Sequence, residues 1–176
     1  MDYRQANTSD ICTIAALHTQ SWRESYQGIL SDFYLQEPVA KNRLEVWTER
    51  LSDPAQNQYV LVAESQNEVV GFICLYGAKD KILGTIIDNL HVVSSHQGQG
   101  LGKQLLIHAM SWCYENYPEQ GIYLEVLADN HPAVGFYQSL GGQLHSKSVW
   151  SAPCGTKVNE LVYRWPNAGY LLTDLK

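Results

Sequence analysis

Between residues 82 and 127 the hydrophobic period of the chain switches twice, and this stretch constrains the fold more than any other. Ile82 to Val93 (ILGTIIDNLHVV) is apolar and rich in β-branched residues, long enough for a strand that carries a bend. His96-Gln97-Gly98-Gln99-Gly100-Leu101-Gly102-Lys103 follows as a glycine-rich turn. From Gly100 to Tyr117, the apolar residues Leu101, Leu105, Ala109, Trp112 and Cys113 recur at three or four, which is one face of a helix that Pro118 ends. Ile122 to Leu127 (IYLEVL) is again a strand. Strand, turn, helix, strand is a βαβ unit, and its two strands must run parallel.

The flanking segments read as an antiparallel sheet with helices. Tyr3 to Ala6 is a short strand. Thr8-Ser9-Asp10 offers N-cap chemistry ahead of a helix with Ile11, Ile14, Ala15 and His18 on one face. Ser21 to Leu35 is a helix end, a loop broken at Gly28 and a second short helix; Lys41 to Leu51 is a third helix, stopped by Ser52-Asp53-Pro54. Tyr59 to Glu64 and Val69 to Tyr76 form a hairpin around Asn67-Glu68. After the βαβ unit, Asp129-Asn130 starts a helix with Pro132 in its first turn, Ala133 to Leu140 continues it, and Gly141 is its C′ residue. Gln143 to Trp150 and Lys157 to Trp165 close the chain as a hairpin. The expected class is α/β, a mixed α+β sheet: antiparallel N-terminal strands, one central βαβ crossover and a C-terminal hairpin. One domain over 1–166 and a tail over 167–176 are expected.

Composition removes several functions. The chain has 45% hydrophobic and 17% charged residues, within the globular range. Its formal net charge of −6 argues against nucleic acid, whose phosphates need clustered cations. Cys12, Cys74, Cys113 and Cys154 have neither metal-knuckle nor redox spacing, so no metal is expected and most of the thiols read as small buried hydrophobes of a reducing compartment. The N-terminus MDYRQANTSD lacks the apolar core of a signal peptide, and no apolar run approaches a membrane span of about 18 residues. A cytoplasmic location is expected.

The glycine turn is the strongest local signal of chemistry. Glycines adopt positive φ and let a ligand approach the backbone. The unpaired N–H groups of a helix's first turn favour an anion, with phosphate or pyrophosphate the natural occupant. A nucleotide-binding P-loop is excluded because Gln104, not Ser or Thr, follows Gly102-Lys103. The spacing Gly98-x-Gly100-x-Gly102 is not that of a dinucleotide fingerprint. A plain tight turn stays open on these residues alone.

Gln97-x-x-Gly100-x-Gly102 resembles the signature of the GCN5-related N-acetyltransferase (GNAT) superfamily. The second block, Leu124-Glu125-Val126-x-x-x-Asn130-x-x-Ala133-x-x-x-Tyr137-x-x-x-Gly141, is similar to that family's strand and following helix, in the same order and separation. The resemblance covers nearly the whole chain to about Trp165. It implies acetyl-CoA, held in a V where two parallel strands splay apart. Main-chain contacts to the pantetheine arm would fall on Leu90, His91 and Val92, and contacts to the pyrophosphate on Gly98, Gln99, Gly100, Leu101, Gly102 and Lys103 beside Gln97. Lys103 reads equally as a solvated helix residue. Asn130 would contact the cofactor, cap its helix, or both.

Acetyl transfer to an amine requires loss of an ammonium proton, stabilisation of an oxyanion and protonation of a leaving thiolate. The resemblance makes Tyr137 the acid; an aromatic core residue is its alternative. Glu125 is the candidate base, with a solvent-facing or ion-paired sheet glutamate as the alternative reading. Asp88 and His91 are rivals, three apart and so on opposite faces of a regular strand unless a bulge intervenes. His91 has the better intrinsic pKa. The oxyanion donor would be a backbone N–H near Leu90.

Trp22, Tyr26 and Tyr34, with Glu24 and Asp32, lie where the family's first helices line the acceptor site. Aromatics with carboxylates suit a small cationic amine or a peptide N-terminus; core packing is the alternative for most of them. Gly142 departs from the family, which has a large apolar residue there, and weaker packing under the last helix is expected. Tyr163 and Trp165 read as packing residues. Family members often form homodimers, an assembly the aromatic-rich ends would suit. The function implied is an acetyl-CoA-dependent N-acetyltransferase; the alternative is a non-catalytic acyl-CoA-binding or sensor module on the same scaffold.

Overall fold

The computed structural model describes residues 1–175. Its elements, in chain order, are β1 (Asp2–Gln5), α1 (Ile11–Ser25), α2 (Asp32–Gln36), α3 (Pro38–Ser52), β2 (Gln58–Ser65), β3 (Glu68–Asp80), β4 (Gly84–Val92), α4 (Leu101–Asn116), β5 (Ile122–Leu127), α5 (His131–Ser139), β6 (Gln143–Ser151), β7 (Lys157–Trp165) and α6 (Ala168–Asp174). The strands form one sheet in the order β1-β2-β3-β4-β5-β7-β6. Among the described residues, only β4 and β5 pair in parallel. The mixed sheet with a central βαβ crossover is therefore present.

Alternation along the strands gives each face its helices. Val60 and Val62 of β2 and Phe72 and Cys74 of β3 pack under Ile14 and Ala15 of α1 and Trp47 and Leu51 of α3. The alternate residues Leu61, Ala63, Ile73 and Leu75 pack under α4 through Leu105, Leu106, Ala109, Met110 and Cys113. The four cysteines are free thiols. Among the described residues, no helix is long and apolar enough to cross a membrane.

Three local outcomes differ from the sequence reading. The first helix is entered one step earlier: Asn7 caps a 3-10 turn over Thr8–Asp10, and the Asp10 carboxylate accepts from the Asn7 amide in return. Residues set apart as a tail carry α6, whose Leu171, with Ala168 before it and Leu175 after it, is buried in the core shared with α4. Packing beneath α5 is not weakened at Gly142, contrary to expectation. A Cβ there would stand 2.7 Å from Trp165 Cζ2, because the indole of Trp165 fills that volume. Trp165 is 1% exposed and its Nε1–H donates to Leu140 O at 2.7 Å. Neither residue lines the cleft described next.

The sheet splits at its centre. β4 and β5 pair only at Thr85–Ile122 and Ile86–Tyr123. At the closed end the backbones nearly touch: a Cβ on Gly84 would meet Gly121 O at 2.2 Å, and the Thr85 amide donates to that same oxygen at 2.8 Å. Beyond Ile86 the strands separate. The β3–β4 register slips between Leu75–Ile87 and Cys74–Asn89, leaving Asp88 as an extra residue in a bulge, which bends the strand that carries it.

Candidate active site

The splayed strands bound a cleft of about 1050 Å³ that runs from the glycine turn to the helices α1 and α3. Gln97, Gly98, Gly100, Leu101, Gly102 and Lys103 line one end. Leu90, His91 and Val92 of β4 form one wall; Glu125 of β5 with Asn130 and Tyr137 of α5 form the other. Of the expected cofactor-binding residues, only Gln99 lies outside the lining, its amide donating to Ser95 O at 3.1 Å.

At the turn, Gly98 and Gly100 hold φ of +72° and +79°, and a Cβ on either would meet no atom within 4 Å. Their glycine character therefore answers to backbone conformation and open space, not to packing. Gly100 is the N-cap of α4, and no side chain caps that helix. The first-turn N–H groups face the cleft end with the positive end of a 16-residue helix dipole. Gln97 braces the turn, donating from Nε2 to Val92 O at 2.9 Å. Leu101 is buried in the core, so only its backbone is offered. An uncapped helix start behind side-chain-free turn residues fits the diphosphate of coenzyme A, and the cleft between the strands fits an extended arm.

The bulge brings the candidate bases to one face of the sheet. Asp88 pairs with Arg50 Nη1 of α3 at 2.7 Å, and the same nitrogen donates to Asn89 Oδ1 at 2.8 Å. His91, opposite Phe72, faces α1, where Ser21 Oγ lies 2.5 Å from its Nδ1. Glu125 faces the same side, since Leu124 and Val126 point to the α4 core. The three groups are not equivalent. Burial, then the charge of Arg43, pushes His91 down to about 4, which removes the advantage of its intrinsic pKa. Asp88 is committed to Arg50. Partial desolvation and the charge of Asp88 raise Glu125 above the ordinary carboxylate range, and no cation of the described residues pairs with it.

Tyr137 packs edge-on to Phe136 and Trp165, and burial raises its phenol so that it stays protonated. Asn130 caps α5, accepting from the Ala133 amide at 3.3 Å, while it also lines the cleft. At the end of the cleft formed by α1 and α3, where acceptor residues are expected, stand Trp22, Glu24 and Tyr26. Tyr34 is buried beneath them and Asp32 is exposed; neither lines the cleft. Sequence reasoning missed Ser21, Arg43, Arg50, Trp150 and Glu160, all of which do. Only the alternation of β7 carried a signal for one of them: Glu160 lies between Val158 and Val162 on a face otherwise buried.

Behind His91 sits a second imidazole. His18 is fully buried; its Nδ1 accepts from Trp47 Nε1 at 3.0 Å, so its proton is on Nε2, which has no partner among the described residues. The two rings lie 4.7 Å apart, and burial holds His18 well below the usual imidazole range. Both histidines fold neutral while the unfolded chain titrates near 6.5. Their stabilisation is thus complete above 6.5 and is lost as pH falls toward about 4. In a thermal series from pH 7.5 to 4.5, His91→Asn is expected to lose less melting temperature on acidification than the unaltered protein. Parallel curves would refute the depressed pKa.

The profile of the Acetyltransferase (GNAT) family matches residues 19–142. A Mycobacterium tuberculosis protein named as a probable N-acetyltransferase is 28% identical over 92% of this chain and 91% of its own length. An N-alpha-acetyltransferase of Sulfurisphaera tokodaii is 37% identical over 46% of this chain and 53% of its own. Among solved structures, the PaiA N-acetyltransferase of Thermoplasma acidophilum, in complex with coenzyme A, superposes with a TM-score of 0.68 at 19% identity, covering 93% of this chain and 98% of that one.

Proposed function

This chain belongs to the acetyltransferase (GNAT) family, whose enzymes use acetyl-CoA, and from that membership we propose that it acetylates a primary amine by direct attack on the thioester, with Glu125 as base and Tyr137 as acid. The observation that carries this reading is the divergence of β4 and β5 beyond Ile86, which puts Glu125 and Tyr137 on the walls of one cleft that begins at an uncapped glycine turn. Bound acetyl-CoA supplies an activated acetyl group and a thiolate leaving group. The backbone of Gly98 to Lys103 holds the diphosphate, and that of Leu90, His91 and Val92 the pantetheine arm.

Glu125 takes a proton from the acceptor ammonium and so frees its lone pair; its raised pKa improves it as a base near neutral pH. Past Ile86 the edge of β4 that faces β5 has no strand partner, and an amide near Leu90 is offered to the carbonyl oxygen. Tyr137, held protonated by burial, donates to the departing sulfur.

A thiol-release assay over primary amines and peptide N-termini tests the reading. Turnover is expected, and Tyr137→Phe should lower kcat by about 10–100-fold with coenzyme A affinity changed by less than about twofold. Equal kinetics would return Tyr137 to its packing role against Trp165. Coenzyme binding without turnover over the whole panel would leave only a sensor.

A further inference from the structure

The acceptor end of the cleft holds both signs of charge on different walls. Arg43 of α3 lines it while only 9% exposed. Its Nε donates to Asn42 Oδ1 at 3.2 Å and its Nη2 reaches the same oxygen, which Tyr34 Oη–H also holds, at 3.1 Å. The guanidinium lies over Trp22, 4.2 Å from the ring centroid. Stacked and tethered in this way, it has one side fixed and Nη1 left over. No carboxylate of the described residues is within 4.0 Å, whereas neighbouring Arg50 has Asp88 at 2.7 Å. A guanidinium taken out of water without a counter-charge is costly, and a planar fork held beside a cleft is matched by an entering carboxylate.

The opposite wall carries Glu125 and, diagonally across the β5–β7 pair, Glu160. Neither has a cation among the described residues within 4.0 Å. Desolvation, then mutual or neighbouring negative charge, raises both. Tyr26, the C-cap of α1, lines the same cleft as Arg43 and Glu160. Arg43 of α3 and the two glutamates of the sheet therefore line one cleft from different elements. Trp22, Tyr26 and Trp150 complete the pocket, with Trp150 edge-on to Trp22 at 5.7 Å.

Resting on the acetyltransferase reading above, we propose that the acceptor is a small amine carrying its own carboxylate, an amino acid, whose carboxylate pairs with Arg43 and whose ammonium is received by Glu125 and Glu160. A polyamine would set a second cation against Arg43 and is disfavoured.

The test compares amino acids of each side-chain class with their carboxamides and their decarboxylated amines. For the best side chain, the acid should exceed both analogues that lack the carboxylate by about 10–100-fold in kcat/KM, mostly through KM. In Arg43→Gln the ratio of acid to carboxamide should collapse to about twofold or less; Arg43→Lys should keep part of it. Calorimetry with coenzyme A present gives a second readout. Amino-acid binding that weakens in Arg43→Gln supports the site even without turnover, in which case only the acetyltransfer reading fails. Amines or carboxamides turned over as well as acids by the unaltered protein would overturn the proposal, as would no amino-acid binding at all. Should Arg43→Gln melt at assay temperature, the matched substrates on the unaltered protein and on Arg43→Lys still decide.

Discussion

Glu125→Gln is expected to lower kcat/KM by about 10²–10⁴ at neutral pH, the range a positioned base contributes. The substitution keeps the shape of the side chain and removes its basicity. It should not unfold the protein, because the ionised carboxylate is disfavoured where it stands, by desolvation and by Asp88. A group raised in this way stabilises the fold below its unfolded pKa and loses that contribution as pH rises through its folded value. The neutral amide escapes the loss, so the melting temperature at pH 7 should be equal or slightly higher. The base acts when deprotonated, so the unaltered enzyme loses activity as pH falls through the raised pKa of Glu125, above the ordinary carboxylate limb. Toward pH 10 the acceptor amine is already free of its proton, and the gap between the two proteins should narrow. A ratio constant across pH would move the base role to Asp88, to His91 or to a water.

Gly84→Ala should cost the fold about 4 kcal/mol or more, although it adds a single methyl group. Two effects sum. The residue has φ of +93°, where a side chain is strained by about 1–2 kcal/mol. The new Cβ would also lie 2.2 Å from Gly121 O and 2.7 Å from Gly121 N, and backbone cannot yield as a flexible side chain does. The strands must part, breaking the Thr85–Gly121 hydrogen bond and the two parallel pairs that close the V. For a chain of this length the melting temperature should fall by about 8–16 °C. Gly28→Ala is the control: its φ is +76° with nothing within 4 Å, so it carries the strain alone. Equal effects at the two sites would refute the pinch.

The residues differ in how much of their role could be read from the chain. Ile122–Leu127 and Lys157–Trp165 appear with the expected bounds, because turns on both sides bracket short β-branched runs. The glycine turn and α4 were legible for the same reason: period, glycine spacing and a proline stop all act within a few residues. Arg43 and Glu160 were not. Each is an ordinary charged residue in its own helix or strand, and only packing places them on facing walls of one cleft. The indole that fills the space at Gly142 comes from Trp165, 23 positions downstream.

What the sequence by itself determined is the βαβ unit, the mixed sheet and the family, since these follow from periodicity and from motifs whose residues are near one another in the chain. What only the tertiary structure decided is how the three candidate bases are partnered. Asp88 and His91 would face opposite ways on a regular strand; the bulge turns both toward α1 and α3, where Arg50 neutralises one and burial beside Arg43 silences the other. Glu125 is left without a cation among the described residues. The strand-to-strand register and the burial around each group set its proton affinity, and both depend on partners dozens of residues away, which no local pattern encodes.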